Sequence, residues 1–341
     1  MNRLLIISKM RGDDLSIFPI DNSTPDDICL LHTILSSHVV NGQTVNVQNC
    51  GTAMRFLTAY FAQKEGCSVI IDGYERMRQR PIGQLADTLS LLGADIHYLA
   101  QEGFPPLGIN GKKLEHKPVT LDNPQSSQFV SALMLIGADV KTNCQSPYID
   151  MTRRLIESRT SVANSQYPNN LIERDWSAAA FWYEYVAIHG GTLFLEGLKR
   201  DSLQGDRVAA EIFKSLGVET IYEDNGVRIR RYPDRQTERL LEWDFSACPD
   251  LYPAVYAACL SLGIETSFTG LETLPLKESN RLTSMKQAEN LSGLTAQPVL
   301  SSYGDHRVAM ALICADYQVD DTNCISKSYP NFIEQWRALH R

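Results

Sequence analysis

The stretch around residue 305 combines side chains that could bind an anion. Asp305, His306 and Arg307 come just before an apolar run, 308–313, that is typical of a buried helix. We therefore predict that Asp305 caps this helix and that the imidazole and guanidinium lie on its first turn. Free backbone N–H groups and the positive end of the helix dipole favour an anion there. The stretch predicts a phosphate or carboxylate site, although a solvated surface cap would show the same pattern.

Comparable helix starts recur earlier in the chain. Gly51, Thr52 and Arg55 follow a short predicted strand, so a ligand can approach the backbone, Thr52 can cap a helix and Arg55 supplies charge. An ordinary strand-to-helix connection with a surface arginine would look the same. Arg80 precedes Pro81, a residue suited to the first position of a helix, which places a second guanidinium at a helix start.

Hydroxyl, amide and charged groups open the other predicted helices. Ser126, Ser127 and Gln128 begin a helix predicted over 128–136 and can bind phosphate oxygens, unless they form a plain serine cap. The remaining polar starts contain Tyr148, Asp175, Asp206, Asp250, Lys277, Glu278, Arg281 and Lys327. If these starts face one cleft, they focus positive potential in an otherwise acidic protein.

Composition narrows the class of protein. The 341 residues carry a formal net charge of -8, which argues against a nucleic-acid binder that relies on bulk positive charge. The eight cysteines form no CxxC pair and no cluster with zinc-site spacing, so we expect buried thiols in a reducing cytoplasm. No apolar stretch approaches the roughly 20 residues of a membrane helix, and the N-terminal one is too short for a signal peptide.

Internal repeats indicate an α/β fold. The order helix, Leu-Gly, strand occurs at 91–96 and again at 215–220. A weaker copy lies at 291–295, and 156–162 could be a fourth copy without its glycine. Each copy is one α/β unit that buries its core by stacking on others.

At the residues named above, the chain resembles the EPSP synthases (5-enolpyruvylshikimate-3-phosphate synthase, 3-phosphoshikimate 1-carboxyvinyltransferase). The matching stretches keep the family's order and lie at 49–55, 76–83, 126–129, 147–150, 277–282, 304–310 and 327–330. Their joint occurrence makes the resemblance specific, and it extends from about residue 3 to the C-terminus.

The resemblance implies two lobes built from repeated βαβαββ units that close on substrate. Residues 1–173 would form the upper lobe, on the shikimate 3-phosphate side, and 174–341 the lower lobe with the catalytic carboxylates. The implied reaction moves the enolpyruvyl group of phosphoenolpyruvate to the 5-hydroxyl of shikimate 3-phosphate and releases phosphate, a step of the shikimate pathway to chorismate and aromatic amino acids. It needs no organic cofactor and no metal, and we expect a monomer without nucleic-acid or membrane partners.

The resemblance also implies residue roles. Asp250 would accept the proton of the 5-hydroxyl, Lys277 would contact that hydroxyl, and Glu278 would manage the proton at the methylene carbon of phosphoenolpyruvate. The residues implied for shikimate 3-phosphate are Arg3, Ser126, Ser127, Gln128, Tyr148, Asp250 and Lys277. Those implied for phosphoenolpyruvate are Gly51, Arg80, Gln128, Arg281, His306, Arg307 and Lys327. Addition and elimination through a tetrahedral ketal need one base, one acid and several cations, which this set provides.

The chain departs from the family's pattern at several places. The first-helix motif Lys-Ser-x-x-x-Asn-Arg is represented only from Asn2 and Arg3, which indicates either an internal Met taken as the start or a deletion. Gln145 stands where the family usually has Ser. The chain is also shorter between Asp150 and Glu173, and between Leu282 and Gly304, which predicts unpaired strand edges.

Two alternative functions follow from these departures. The missing lysine and the shorter stretches are compatible with a degenerate paralogue that binds a phosphorylated ligand or a partner without turnover. The other alternative is the related transferase that acts on UDP-N-acetylglucosamine. Ser126, Ser127 and Gln128, together with the stretch at 80–82, favour the shikimate branch.

Overall fold

The structure is a computed structural model and describes residues 1–160, 172–232, 239–289 and 298–340. The chain divides into two compact units, Met1–Tyr167 and Pro168–Arg341. No helix within the described ranges is long and apolar enough to cross a membrane.

The first unit contains the repeat that the resemblance predicts. Two helices, α1 (Asn2–Arg11) and α2 (Asp26–Ser36), precede it. A βαβαββ unit then follows, formed by β1 (Gln43–Asn46), α3 (Gly51–Ala62), β2 (Ser68–Asp72), α4 (Glu75–Arg78), α5 (Gly83–Leu91), β3 (Asp95–Tyr98) and β4 (Leu107–Asn110). The strand order is β1-β2-β4-β3, with β1 parallel to β2 and both other pairs antiparallel. The predicted α/β fold of βαβαββ units is therefore confirmed.

A shorter α/β segment completes the first unit. It contains β5 (Val119–Thr120), α6 (Ser127–Leu135), β6 (Val140–Lys141) and α7 (Pro147–Thr160). The strands β5 and β6 pair in parallel, with Val119 opposite Val140. Helix α3 is buried along almost its whole length and packs against α6, α5 and β2, so it lies at the centre of this unit.

The second unit repeats the helix-and-sheet arrangement. It begins with α8 (Trp176–His189), β7 (Thr192–Glu196), α9 (Ala209–Ser215), β8 (Val218–Glu223) and β9 (Gly226–Arg231), whose strands form an antiparallel sheet in the order β7-β9-β8. It continues with β10 (Leu240–Asp244), α10 (Tyr252–Leu262), β11 (Glu265–Thr269), α11 (Arg281–Lys286), α12 (His306–Cys314) and α13 (Phe332–Leu339). The strands β10 and β11 pair in parallel.

Three helices form the core of the second unit. Helices α8, α10 and α12 pack against one another, and most residues of each are buried. Helices that are apolar on all sides occur where other elements surround them. Because α10 and α12 are held on all sides, the polar residues at their N-terminal ends have fixed positions.

The predicted repeats are confirmed at two places. Gly93 ends the turn between α5 and β3, and Gly217 ends the turn between α9 and β8, with φ values of 89° and 85° that favour glycine. The weaker copy at 291–295 lies outside the described residues. Residues 156–160 of the possible fourth copy are helical, and the rest of that copy also lies outside the described residues.

Two predicted helix starts are wrong in detail. Helix α3 begins at Gly51, and its cap is the Cys50 thiol, which accepts a hydrogen bond from the backbone N–H of Ala53 at 3.3 Å, so Thr52 lies inside the helix. Helix α5 begins at Gly83, so Pro81 does not take the first helical position. By contrast, Asp305 caps α12 as predicted, since its carboxylate accepts a hydrogen bond from the backbone N–H of Arg307 at 3.0 Å.

Candidate active site

The charged residues of the second unit gather at the N-terminal ends of helices. Asp250 lies in a single turn of 3-10 helix, Pro249–Leu251, that leads into α10. Lys277 and Glu278 lie in the segment before α11, and His306 begins α12. Lys327 is the exception, because it is the last residue of a 3-10 helix, Asn323–Lys327, and does not begin a helix as the sequence predicted. Helix starts present unpaired N–H groups and a positive dipole end, so the cluster suits anionic ligands.

Arg281 and Asp305 form the buried centre of this cluster. The Arg281 side chain is 2% exposed and that of Asp305 is fully buried. The guanidinium donates to Asp305 through Nε, 2.8 Å from Oδ2, and through Nη2, 3.2 Å from Oδ1. The Ser279 hydroxyl donates to the same Oδ2 at 3.2 Å. The pair therefore joins the start of α11 to the start of α12.

Three cations surround the Asp250 carboxylate. Lys277 Nζ lies 3.1 Å and Arg281 Nη1 2.8 Å from its Oδ1, while Arg307 Nη2 lies 3.2 Å from its Oδ2. Burial opposes ionisation of Asp250, but the charges of Arg307, Lys277 and Arg281 outweigh it and hold the pKa of the carboxyl well below its usual range. Asp250 is therefore an ionised, weak base in this arrangement.

Glu278 is the second carboxylate of the cluster. His306 Nδ1 lies 2.8 Å from its Oε2, and Lys327 Nζ lies 3.8 Å from its Oε1. Burial raises the pKa of Glu278, but the charges of His306 and Lys327 and the hydrogen bond from His306 together bring it well below the usual value. The two candidate acid-base groups are therefore both ionised and both held by cations.

Glu278, Asp305 and His306 also offer donor atoms within 4.8 Å of one another, a spacing that could hold a metal ion. Arg281 occupies both oxygens of Asp305, and the two oxygens of Glu278 contact His306 and Lys327. Because side-chain cations already balance these carboxylates, the three residues are better suited to organising anion-binding groups than to holding a divalent ion.

A buried carboxyl that the sequence reasoning did not select lies behind Asp250. Asp206 is fully buried, and Ser177 Oγ donates a short hydrogen bond to its Oδ2, while its Oδ1 has no hydrogen-bond partner among the described residues. Burial and then the charge of Asp250 raise the pKa of Asp206 to about 6, although Arg307 opposes the shift. The sequence places Asp206 at a helix start, but only the tertiary fold brings it close to Asp250.

In the first unit, Arg3 is held by an aromatic and hydroxyl pocket. Its Nε donates to Thr152 Oγ1 at 2.6 Å, and its guanidinium lies 5.6 Å from the ring centre of Phe56 and 5.7 Å from that of Tyr148. Burial lowers the pKa of Arg3 to about 10, with Tyr148 acting in the opposite direction. The structure therefore brings together two of the residues predicted for shikimate 3-phosphate.

Gly51 lies against two guanidinium groups. A Cβ atom added to Gly51 would lie 2.6 Å from Arg80 Nη1 and 2.8 Å from Arg55 Nη1. Arg55 turns back onto the backbone and donates to the carbonyl oxygens of Gly51 at 3.1 Å and Pro81 at 3.3 Å. Arg55 is therefore buried and stabilises the backbone next to Gly51 and Arg80. It is not the surface arginine that the sequence analysis gave as an alternative.

The start of α6 contains the predicted Ser126, Ser127 and Gln128. Ser126 caps the helix, its Oγ accepting a hydrogen bond from the backbone N–H of Gln128 at 3.2 Å. Gln128 Nε2 donates to Thr52 Oγ1 at 3.0 Å, which ties this helix start to that of α3. Ser127 is the first residue of α6 and is half-buried.

The predicted site residues therefore form three groups. The second unit brings together Asp250, Lys277, Glu278, Arg281, His306, Arg307 and Lys327 through direct contacts. In the first unit the Arg3 guanidinium lies over the Tyr148 ring, and the Arg80 guanidinium lies close to Gly51. Gln128 donates a hydrogen bond to Thr52, the residue that follows Gly51. Two further members are Asp305, which accepts from Arg281, and Ser279, which donates to Asp305. Of these two, only Asp305 had a sequence signal, as a helix cap.

Comparison with known proteins places this arrangement in a family. The sequence profile of the family described as EPSP synthase (3-phosphoshikimate 1-carboxyvinyltransferase) matches residues 20–336. The chain is also 35% identical to a 3-phosphoshikimate 1-carboxyvinyltransferase from Bacteroides fragilis, an alignment that covers 98% of this chain and 92% of that protein. The chain belongs to the EPSP synthase family.

Further relatives agree with this family assignment. The 3-phosphoshikimate 1-carboxyvinyltransferase from Colwellia psychrerythraea is 30% identical, with 84% of this chain and 77% of that protein aligned. An EPSP synthase structure from Acinetobacter baumannii superposes with a TM-score of 0.65 at 22% identity, covering 89% of this chain and 79% of that one. The last comparison supports the EPSP synthase fold.

Proposed function

We propose that this chain transfers the enolpyruvyl group of phosphoenolpyruvate to the 5-hydroxyl of shikimate 3-phosphate and releases phosphate. The observation that carries the proposal is the pair of carboxylates, Asp250 and Glu278, held within one cluster of cations at helix starts. The relatives named 3-phosphoshikimate 1-carboxyvinyltransferase support the same acceptor and the same transferred group.

The proposed chemistry is an addition followed by an elimination. The 5-hydroxyl oxygen bonds to the substituted carbon of phosphoenolpyruvate and loses its proton to Asp250. The methylene carbon gains a proton from the Glu278 carboxyl, which must first be protonated to donate it. The resulting tetrahedral ketal then loses that methyl proton, and the bond from carbon to the phosphate oxygen breaks. Inorganic phosphate leaves, and the enol ether remains on the shikimate ring.

The surrounding cations explain how two weakly basic carboxylates can take part in proton transfer. In the arrangement described, Arg307, Lys277 and Arg281 hold the pKa of Asp250 low. The phosphate and carboxylate of phosphoenolpyruvate would draw on the same cations, which removes counter-charge from Asp250. Its pKa then rises toward the pH at which it works, as a general base requires. Glu278 would respond similarly as the ligand competes for His306 and Lys327.

The remaining residues would bind and orient the two substrates. For shikimate 3-phosphate we propose Asp250 and Lys277 together with the first-unit residues Arg3, Ser126, Ser127, Gln128 and Tyr148. For phosphoenolpyruvate we propose Gly51, Arg80, Gln128, Arg281, His306, Arg307 and Lys327. This distribution assigns the phosphate of shikimate 3-phosphate to residues 1–173 and the acid-base groups to 174–341. The monomeric state and the cytoplasmic location stay predictions.

A second candidate function is binding of the phosphorylated ligands without turnover. The observation that favours it is the low pKa of both carboxylates, because charge-balanced pairs stabilise a binding site without serving as acid or base. Under this alternative the cluster would bind the same anions and release no phosphate.

The deciding experiment measures phosphate release by the purified chain with both substrates together, and with each omitted in turn. We expect release only when both are present, accompanied by a product whose mass is that of the acceptor plus the enolpyruvyl group. The matched control is Asp224→Asn, a change at an exposed carboxylate of the same unit, which should release phosphate at the parent rate. Calorimetric binding of both ligands without any release would support the second candidate instead.

A further inference from the structure

Three helices of the second unit end beside one imidazole–carboxylate cluster. His189 is the last residue of α8, Asp316 follows the end of α12 by two residues, and His340 caps the end of α13. The opposite end of α12 carries His306 and Arg307, and nine helical residues at about 1.5 Å each separate the two ends. The cluster of His189, Asp316 and His340 is therefore distinct from the proposed active site.

Backbone carbonyls fix which nitrogen of each imidazole carries a proton. His189 Nε2 lies 2.8 Å from the carbonyl oxygen of Cys314, and His340 Nδ1 lies 3.0 Å from that of Trp336. A carbonyl oxygen can only accept, so each of these nitrogens must donate. In a neutral imidazole the other nitrogen then presents a lone pair.

The other nitrogen of each imidazole lies near the same carboxylate. His189 Nδ1 lies 3.8 Å from Asp316 Oδ2, and His340 Nε2 lies 3.7 Å from Asp316 Oδ1. These separations are too long for direct hydrogen bonds. Acceptor atoms that face one another across such a gap repel, unless a positive charge lies between them.

The helix ends add to this negative potential. The C-terminal end of a helix carries partial negative charge from its unpaired carbonyl groups, and it stabilises cations. Here the ends of α8, α12 and α13 all contribute, and the two carbonyls that orient the imidazoles belong to α12 and α13. The cluster thus combines two imidazole lone pairs, one carboxylate and three helix ends that favour a cation.

Aromatic packing holds the two imidazoles in place. The ring of His189 lies 4.6 Å from that of Tyr185, and the ring of His340 lies 4.1 Å from that of Trp336 and 5.5 Å from that of Tyr185. The two imidazole centres are 6.0 Å apart. Two imidazole centres on one tetrahedral ion are about 5.2 Å apart, because a zinc–nitrogen bond of about 2.0–2.1 Å places each centre about 3.2 Å from the metal. A bound ion would therefore draw these two rings together by about 1 Å.

We propose that His189, Asp316 and His340 form a binding site for a divalent transition-metal ion of the zinc type. Imidazole and carboxylate ligands suit Zn²⁺, Ni²⁺ and Co²⁺, and a ligating histidine usually donates its other N–H to a carbonyl or carboxylate, as both do here. The Asp316 side chain is 55% exposed, which leaves room for water to complete the coordination. A bound ion would fasten α13 to the ends of α8 and α12.

The test is calorimetric titration of the untagged full chain with Zn²⁺, repeated with Co²⁺ while the visible absorption of the metal is recorded. We expect one site per chain, and at least a tenfold weaker affinity in His340→Phe and in Asp316→Asn. Phenylalanine keeps the ring contacts with Trp336 and Tyr185, so its effect reports the lost nitrogen rather than lost packing. The matched control is His97→Ala, which removes an exposed imidazole that contacts a single carboxylate, Asp95, directly at 2.7 Å.

Zinc binding can also be measured through the thermal stability of the chain. Zn²⁺ should raise the melting temperature of the parent and of His97→Ala, because a ligand that binds only the folded state stabilises it. The rise should be absent in His340→Phe, while that variant keeps the parent's circular dichroism spectrum and activity. Absence of a zinc-binding heat in the parent, or equal zinc affinity in the parent and both cluster variants, would overturn the proposal.

Discussion

Arg281 and Asp305 form two hydrogen bonds in the buried interior of the second unit. The guanidinium is 2% exposed, the carboxylate is fully buried, and the Nε-to-Oδ2 distance is 2.8 Å. The same guanidinium reaches Asp250 through Nη1. The Asp305 carboxylate therefore fixes the position of the Arg281 guanidinium before any ligand binds.

We expect Asp305→Asn to destabilise the second unit by about 3 kcal/mol, because removing one partner leaves a buried charge uncompensated. Asparagine still caps α12, so the loss reports the charge. The measurement is urea unfolding followed by tryptophan fluorescence, since all four tryptophans belong to the second unit. The control Glu223→Gln breaks an exposed pair with Arg228 and should cost less than about 1 kcal/mol. Equal costs for both variants would contradict the prediction.

Asp250→Asn should reduce turnover by about 10²-fold or more, because the amide cannot accept the hydroxyl proton. Binding of shikimate 3-phosphate should change little, since asparagine retains the shape and one acceptor oxygen. Steady-state phosphate release and calorimetry separate the two effects. If binding fell as much as turnover, Asp250 would be a ligand-binding residue and not the base.

Arg307→Ala should weaken phosphoenolpyruvate binding more than tenfold, or more than about 1.4 kcal/mol, and leave shikimate 3-phosphate binding within about threefold. The guanidinium lies at the start of α12, where anions are favoured. Calorimetry with each ligand measures both affinities, and Arg207→Ala removes an exposed arginine as the control. A parallel loss of the two affinities would show that Arg307 does not distinguish the ligands.

Gly51→Ala should weaken phosphoenolpyruvate binding several-fold, because the new methyl group meets Arg80 at 2.6 Å and must displace it. Shikimate 3-phosphate binding should be nearly unchanged. The control is the same substitution in an Arg80→Ala background, where its further effect should largely disappear if the displaced guanidinium is the cause. An undiminished effect there would show that the second close guanidinium, Arg55 at 2.8 Å, is the cause instead.

Asp206→Asn should change how stability depends on pH. The pKa of Asp206 is raised to about 6 in the folded chain, from about 3.9 in an unfolded one. The folded state therefore binds the extra proton between about pH 4 and 6, and this group's contribution falls as pH rises through that window. The variant should gain about 1 kcal/mol relative to the parent between pH 5 and pH 7 in urea unfolding. A constant difference would show that Asp206 does not titrate there.

Local sequence patterns predicted the features that depend on neighbouring residues. The cap by Asp305 and the glycine turns at Gly93 and Gly217 follow from backbone geometry that a few residues determine. Threonine is a preferred capping residue, and Thr52 was the predicted cap of α3, yet the Cys50 thiol takes that position.

Local sequence patterns could not predict the contacts between segments that are distant in the chain. The bond from Arg281 to Asp305 spans 24 residues. The approach of Asp206 to Asp250 depends on α8, which contacts the 3-10 turns that carry both residues. The family resemblance could nominate the charged residues, but it could not show that their charges are already balanced within the protein.

Because its charges are balanced internally, the cluster binds a ligand by exchanging its own carboxylates for the anionic groups of that ligand. Lys277, Arg281, Arg307 and Lys327 each have a carboxylate neighbour before any ligand arrives. An incoming anion must therefore compete with fixed counter-ions instead of entering a vacant positive field. A singly charged anion such as chloride can replace only part of that charge, whereas a ligand with both a phosphate and a carboxylate can engage several cations together. Selectivity for multiply charged ligands thus follows from the acidic residues as much as from the basic ones.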